Sequence, residues 1–176
     1  EIEFALERAV DADRLTGAMA RGELPERATH NDTKLNNVML DNRTGEGICV
    51  IDLDTLMPGC SLYDFGDMVR SATLNIAEDS PEYRDAVCRR EIFEALARGF
   101  VEAADFMTEF ERSQMAFSGR LMTLECGVRF LTDFLLGDLY FKTHRPGHNL
   151  DRCRTQFALV RSIMDQEEAL QALCRR

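Results

Sequence analysis

Apolar residues at the start of the chain recur at helical spacing. A first helix is predicted over residues 1–21, and Gly22 and Pro25 end it. Four apolar residues of this helix share one side: Ile2, Leu6, Ala9 and Val10. A polar stretch follows, with no such period, up to position 37.

Two short apolar runs come next, with turn residues between them. Residues 38–41 and 48–52 read as strands, and the segment DNRTGEG at 41–47 has the composition of a turn. Together they predict a β-hairpin. Residues 53–67 are predicted to be irregular, because they contain Pro58, Gly59 and Gly66.

Helical patterns return after this region. Ser80 suits an N-cap and Pro81 a first helical position, which predicts a helix over residues 80–104. Another helix is predicted to begin near Thr108.

A long amphipathic helix is predicted over residues 113–143, ended by Pro146 and Gly147. Its apolar stripe has spacings of three and four: Leu121, Leu124, Val128, Leu131, Leu135 and Leu139. A last helix is predicted over residues 149–173. The fold class is therefore mainly α with a small β-hairpin (α+β), and 176 residues suit a single domain.

Composition and charge exclude several classes of protein. The formal net charge is -10, with 31 acidic and 21 basic residues, which argues against a nucleic-acid binder. No apolar run of about 18 residues is present, so no membrane span is predicted. The six cysteines form no C-x-x-C pair, which predicts buried free thiols in a reducing compartment and a cytoplasmic protein.

The polar stretch THNDTKLNN, at positions 29–37, concentrates candidate chemistry just before the hairpin. Asp32 and Asn37 precede the first strand, and Asp52 ends the second. Because a hairpin brings the start of one strand near the end of the other, these three side chains are expected to meet at the surface. Two carboxylates and an amide oxygen are hard ligands that suit Mg²⁺.

The spacing in this stretch is also that of a kinase catalytic loop. The pattern H-x-D-x-x-x-x-N is met by His30, Asp32 and Asn37, and Asp52 stands where a kinase places its metal-binding aspartate. Asp32 would accept the proton of the attacking hydroxyl, and Asn37 and Asp52 would hold Mg²⁺. Lys34 would add positive charge where the transition state is negative.

Structural roles remain open for part of this stretch. His30 suits a loop brace better than a direct catalytic part, and Lys34 is either a phosphate contact or a solvated side chain. Three other polar residues are typical of turns and caps: Asn31, Thr33 and Asn36.

Four segments carry a resemblance to a known family. HNDTKLNNVMLD, CVIDLDTLMPG, YDFGDMVR and LYFKTHRPGHNLDRCRTQF resemble the aminoglycoside phosphotransferase and choline kinase superfamily, and within it most closely the N-acetylhexosamine 1-kinase group. The resemblance implies a protein-kinase-like fold, with ATP and Mg²⁺ as cofactors. It also implies phosphorylation of a small-molecule hydroxyl, in the closest group that of an N-acetylhexosamine.

The resemblance extends to individual residues. Asp32 matches the catalytic aspartate, and Asn37 and Asp52 match the metal ligands. Asp64 matches an aspartate that supports the catalytic loop. Three more residues are candidates for substrate contact or structural support: Asp54, Asp67 and Arg70.

The sequence departs from the family in one large respect. No glycine-rich strand-turn-strand precedes the catalytic loop, so the N-terminal lobe that clamps ATP is expected to be absent. Residues 1–176 are expected to form a single C-terminal catalytic lobe, with the catalytic loop and hairpin at 29–70 and a helical subdomain at 80–174. The isolated chain is expected to be inactive.

Two alternatives stay open at this point. The chain could be an inactive kinase-like lobe that serves as a binding or scaffolding module. It could also belong to a kinase for another small molecule: another sugar, choline or an aminoglycoside.

Overall fold

A computed structural model describes residues 1–175 of the chain. The fold is mainly helical, as predicted, with short antiparallel strands near the first third of the sequence. The helices are α1 Ile2–Glu7, α2 Asp13–Ala20, α3 Ser61–Ala72, α4 Arg90–Ala103, α5 Glu109–Ser113, α6 Met115–Leu136 and α7 His148–Leu173. The strands are β1 Arg27–Thr29, β2 Val38–Leu40, β3 Gly47–Val50 and β4 Met57–Gly59.

The strands form two small antiparallel sheets. The predicted hairpin is present as β2 and β3, with Val38 opposite Val50 and Met39 opposite Cys49. A second pair, β1 with β4, was not predicted, because neither RAT nor MPG is an apolar run. It brackets the hairpin and brings the residues before and after it together.

The predicted helix over residues 1–21 is wrong as a single element. A 3-10 turn at Ala9–Asp11 separates α1 from α2. The two segments differ in burial, since Leu15 and Ala18 of α2 enter the core whereas α1 has no buried residue. The apolar side predicted for the first helix stays largely in solvent, with Val10 80% exposed.

The prediction of irregular structure over residues 53–67 is also wrong, because α3 begins at Ser61. Leu62, Phe65 and Val69 bury one face of this helix. Gly66 lies within it and faces α6. A Cβ there would come within 2.5 Å of the Ser118 carbonyl oxygen, so the glycine allows the two helices to approach closely.

The helix predicted from Ser80 begins ten residues later, at Arg90. Its N-cap is Arg89, and the Ser80 hydroxyl instead accepts a hydrogen bond from the Glu82 N–H in an earlier turn. The intervening chain packs on other elements instead: the Cys88 N–H donates to Ser162 Oγ at 3.0 Å. The helix predicted near Thr108 is confirmed as α5, and Thr108 forms a capping box with Glu111.

The long predicted helix is confirmed as α6, but it ends at Leu136 and not at Pro146. Gly137, with φ at 94°, terminates it in a left-handed conformation. Leu135 and Leu139 are therefore not core residues, and they are 59% and 80% exposed. The last predicted helix is confirmed as α7, which begins one residue early at His148.

The loop between α6 and α7 is fastened to a single buried carboxylate. Asp133 accepts hydrogen bonds from the N–H groups of Leu139, Tyr140 and Phe141 at 2.8–2.9 Å. The Asn149 amide of α7 donates to the same carboxylate at 2.8 Å. The loop and the start of α7 are thus held against the end of α6.

The core lies among α3, α4, α6 and α7, where four phenylalanines are almost fully buried: Phe65, Phe93, Phe117 and Phe157. All six cysteines are free. Four of them are buried, as predicted. The prediction is wrong for the other two, because Cys126 is only partly buried and Cys49 is exposed on β3. Within residues 1–175, no helix has the length and apolar character needed to cross a bilayer.

Candidate active site

The loop that precedes the hairpin is fastened to the first turn of α3. The Asp64 carboxylate accepts hydrogen bonds from the backbone N–H groups of His30 at 2.8 Å and Asn31 at 2.7 Å. The Thr33 hydroxyl donates to the Asp64 carbonyl oxygen at 2.6 Å. Asn31 adopts a positive φ of 62°, so the chain turns sharply there. Asp64 therefore fixes the backbone directly before Asp32.

His30 is buried beneath this loop and bonds to the chain that follows the hairpin. Its Nε2 lies 3.0 Å from the Ile51 carbonyl oxygen. Its own carbonyl oxygen accepts a hydrogen bond from the Thr55 hydroxyl at 2.5 Å. His30 thus connects the chain before the hairpin to the chain after it, and it holds the base of the hairpin together.

Asp32 lies between two donors from its own loop. The Lys34 ammonium is 2.6 Å from Asp32 Oδ2, and the Asn37 amide donates to the same oxygen at 2.9 Å. The amide also donates to the Asp32 carbonyl oxygen at 2.8 Å. The carboxylate is partly exposed, so it is open to a ligand from solvent.

These contacts set the charge of Asp32. Partial burial raises the pKa of its carboxyl group, but the hydrogen bonds from Lys34 and Asn37 outweigh that effect and hold the pKa below its ordinary value. The side chain is therefore an anion at neutral pH, ready to accept a hydrogen bond.

Asn37 and Asp52 lie at the same end of the hairpin. The Ile51 N–H donates to the Asn37 carbonyl oxygen at 2.9 Å, and Asp52 is the next residue, with a left-handed φ of 64°. Asp52 is exposed, as predicted for a surface site, whereas Asn37 is buried, because its amide bonds inward to Asp32.

The oxygen atoms here fit a hard cation. Both hydrogen bonds of the Asn37 amide use its nitrogen, and its Oδ1 has no partner within residues 1–175. The Asp52 carboxylate is likewise unpaired within the same residues. In the described chain no group of three or more His, Cys, Asp or Glu side chains could hold a metal. The remaining ligands of a cation at this position would be waters or phosphate oxygens.

The three residues predicted to contact substrate or to support the site lie in two different elements. Asp54 lies in a 3-10 turn and is exposed. Asp67 and Arg70 form an ion pair of 2.7 Å on α3, and Arg70 also reaches Glu78 at 3.1 Å. Burial lowers the pKa of the Arg70 guanidinium, but acidic neighbours, Asp67 and Glu78 among them, raise it by more, so the group stays charged.

Some residues near the site could not be found from spacing. Arg27 on β1 makes a bidentate pair with Glu111 at 2.8 Å, across 84 positions of sequence. Glu78 and Gln156 bond at 3.1 Å across 78 positions. No local pattern indicates partners this far apart, so only the folded chain reveals them.

Comparison with known families gives a match over the first part of the chain. A family model described as the phosphotransferase enzyme family (APH) matches residues 1–106, which is more than half of the chain. The chain therefore belongs to the phosphotransferase enzyme family. This is a family of kinase-type enzymes within the superfamily that the sequence motifs resemble.

Proposed function

We propose that this protein is an ATP- and Mg²⁺-dependent phosphotransferase that transfers a phosphoryl group to a hydroxyl of an amino sugar, with an N-acetylhexosamine as acceptor. The observation that carries the proposal is the position of Asp32. Its carboxylate lies 2.6 Å from the Lys34 ammonium and 2.9 Å from the Asn37 amide, at the base of an exposed hairpin.

Asp32 binds and orients the acceptor hydroxyl and accepts its proton as the phosphoryl group is transferred. A carboxylate of low pKa is a weak base, which suits a loose transition state in which positioning contributes more than proton removal. Lys34 then supplies positive charge to the transferred group, exchanging its contact with Asp32 for one with phosphate oxygens.

Asn37 and Asp52 would hold Mg²⁺ through the oxygen atoms that have no partner in the described residues. When bound, the ion neutralises charge on the nucleotide phosphates. Asp64 keeps the loop in place for this chemistry, and His30 braces its base. Asp54 is proposed as a loop residue at the rim of the site, and Asp67 with Arg70 as support beneath it.

The catalytic loop and hairpin, at residues 29–70, and the helical residues 80–174 are proposed to form the C-terminal catalytic lobe of a protein-kinase-like fold. The preference for an N-acetylhexosamine rests on the sequence motifs that resemble the N-acetylhexosamine 1-kinase group. The family match supports phosphoryl transfer in general.

The test is a coupled ADP-release assay on the full-length protein, with Mg-ATP and a panel of N-acetylglucosamine, N-acetylgalactosamine, glucose, choline and an aminoglycoside. Asp32→Asn should lower kcat with the best acceptor at least about 100-fold. The matched control is Asp54→Asn, the same change at an exposed carboxylate of the adjacent turn. An unchanged rate in Asp32→Asn would remove this residue from the mechanism, and no turnover with any acceptor would refute the proposed function.

A further inference from the structure

A cavity of about 300 Å³ opens directly beside the proposed catalytic loop. Lys34, whose ammonium bonds to Asp32, forms part of its wall, together with Arg70 of α3 and Gln156 of α7. Asp32 itself does not line the cavity, and the Lys34 side chain connects the cavity wall to the carboxylate proposed to receive the acceptor hydroxyl. Its volume is at the lower end of the range for small-molecule sites, which suits a single small ligand.

The charges around this cavity are already compensated within the chain. Lys34 is paired with Asp32 at 2.6 Å. Arg70 is paired with Asp67 at 2.7 Å and with Glu78 at 3.1 Å. The Glu78 carboxylate also accepts from the Gln156 amide at 3.1 Å. A charged ligand would have to break one of these pairs, whereas an uncharged polar ligand would not.

Two amides offer hydrogen bonds that the protein does not use. Gln156 is 1% exposed, and its Oε1 is buried without a partner within residues 1–175. A buried acceptor of this kind is costly unless a donor reaches it. Asn36 lines the rim of the cavity, and its side chain has no hydrogen bond in the described chain. Leu74 and Ile76 add an apolar edge.

The geometry points to this cavity as the acceptor pocket, selective for an uncharged polyhydroxylated molecule, with Gln156 as a residue that determines specificity. The inference rests on the proposed phosphotransferase function. A hydroxyl or amide N–H of the acceptor donates to Gln156 Oε1, Asn36 bonds to the rim of the ligand, and the hydroxyl to be phosphorylated faces Asp32. A cationic acceptor is disfavoured because Glu78 is already shared between Arg70 and Gln156.

The test is a saturation-transfer NMR titration of the 176-residue chain with N-acetylglucosamine, with no nucleotide present. Gln156→Leu preserves the size of the side chain and removes its amide, so it should weaken binding about tenfold. The matched control is Gln166→Leu, the same change ten positions later on α7, where the amide bonds to Cys88 O away from the cavity. The control should bind like the wild type, and thermal unfolding checks that both variants fold.

A second variant covers the case in which Gln156→Leu does not fold. Asn36→Ala removes an exposed amide that has no hydrogen bond within residues 1–175, and it should weaken binding about threefold. Unchanged binding in the folded pocket variants would overturn the inference, as would absence of saturation transfer to the sugar. Glucosamine, a cation, and inorganic phosphate should both bind more weakly than N-acetylglucosamine, and tighter binding of either would overturn the preference for an uncharged ligand.

Turnover measurements distinguish a failure of the proposed pocket from a failure of the proposed phosphotransferase function, on which the pocket rests. In the full-length protein, Gln156→Leu should raise the KM for the sugar and leave the KM for ATP unchanged. Turnover with an unchanged sugar KM would refute the pocket and leave the phosphotransferase intact. Sugar binding that depends on Gln156, without any turnover, would refute the phosphotransferase and leave the binding site.

Discussion

Asp32 is held by residues close to it in sequence, which is why its spacing could be recognised. Both side-chain donors to its carboxylate, Lys34 and Asn37, come from the next five positions. The short Lys34 contact occupies Asp32 Oδ2, and a phosphate bound nearby would draw the ammonium away from this oxygen. Nucleotide binding is thus expected to free Asp32 for the acceptor hydroxyl.

Asp52 and Asp54 both follow β3 and are both exposed, so the proposed metal site can be tested by single substitutions. Asp52→Asn should raise the Mg²⁺ concentration for half-maximal turnover about tenfold, because the carboxylate proposed to bind Mg²⁺ becomes a neutral amide. The measurement is the rate at fixed ATP across a Mg²⁺ titration of the full-length protein.

The control for this titration is Asp54→Asn, since both side chains are exposed and without partners in residues 1–175. The control should keep the Mg²⁺ dependence of the wild type. Equal shifts in the two variants would argue against Asp52 as a ligand.

The sequence predicted the residues that local spacing connects and missed those that only folding connects. Asp32 and Asn37 are five positions apart and are in contact, as the motif requires. The Arg27–Glu111 pair spans 84 positions, so no local pattern indicates that these two residues form an ion pair. Gln156 could not be assigned to a cavity, because its neighbours there belong to other elements.

At the scale of elements, short or irregular segments also could not be predicted from local patterns. The hairpin and α7 have strong patterns and were predicted within a few residues. Glycine and proline in residues 53–67 suggested a loop, yet Gly66 lies inside α3 because tight packing on α6 requires it. The sequence shows a glycine but not which neighbour it faces.

The α3–α6 contact provides a stability prediction. Gly66→Ala should lower the free energy of unfolding by about 1–3 kcal/mol, because the new Cβ would lie 2.5 Å from Met122 Cγ and from the Ser118 carbonyl oxygen. Urea unfolding followed by circular dichroism measures the change.

Gly99→Ala is the matched control within α4, where an added Cβ meets nothing within 4 Å. It should raise the free energy of unfolding by up to about 1 kcal/mol, through helix propensity alone. Stabilisation in both variants would contradict the packing role of Gly66.

At the scale of the whole molecule, Arg27 and Glu111 join β1, which precedes the proposed catalytic loop, to the helical half. Glu111 is 1% exposed and also accepts hydrogen bonds from the Thr108 N–H at 2.8 Å and the Ser61 hydroxyl at 3.2 Å. One carboxylate therefore connects β1 with the starts of α3 and α5.

This connection should make stability depend on pH. Burial raises the pKa of Glu111, but the hydrogen bonds from Arg27 and Thr108 lower it by more, to about 2. Its stabilisation is complete above the ordinary pKa of the unfolded chain and is lost as the pH falls from about 4.5 towards 2. Glu111→Gln should lower the free energy of unfolding by about 3 kcal/mol at pH 7, because Arg27 loses its partner.

Urea unfolding at several pH values tests this. The difference between the wild type and Glu111→Gln should be largest at neutral pH and should shrink below pH 4.5. Glu109→Gln, on the same helix but exposed, should show no such difference. A gap that stays constant down to pH 2 would contradict the assignment.

The attachment of the loop after α6 to Asp133 has a consequence for how that loop can move. Three successive peptide groups, at Leu139, Tyr140 and Phe141, share the two oxygens of one side chain. None of these bonds can lengthen far without disturbing the others, so the loop is expected to open and close cooperatively. Asp133 therefore holds the loop as one unit. A substitution at Asp133 should release the whole segment at once.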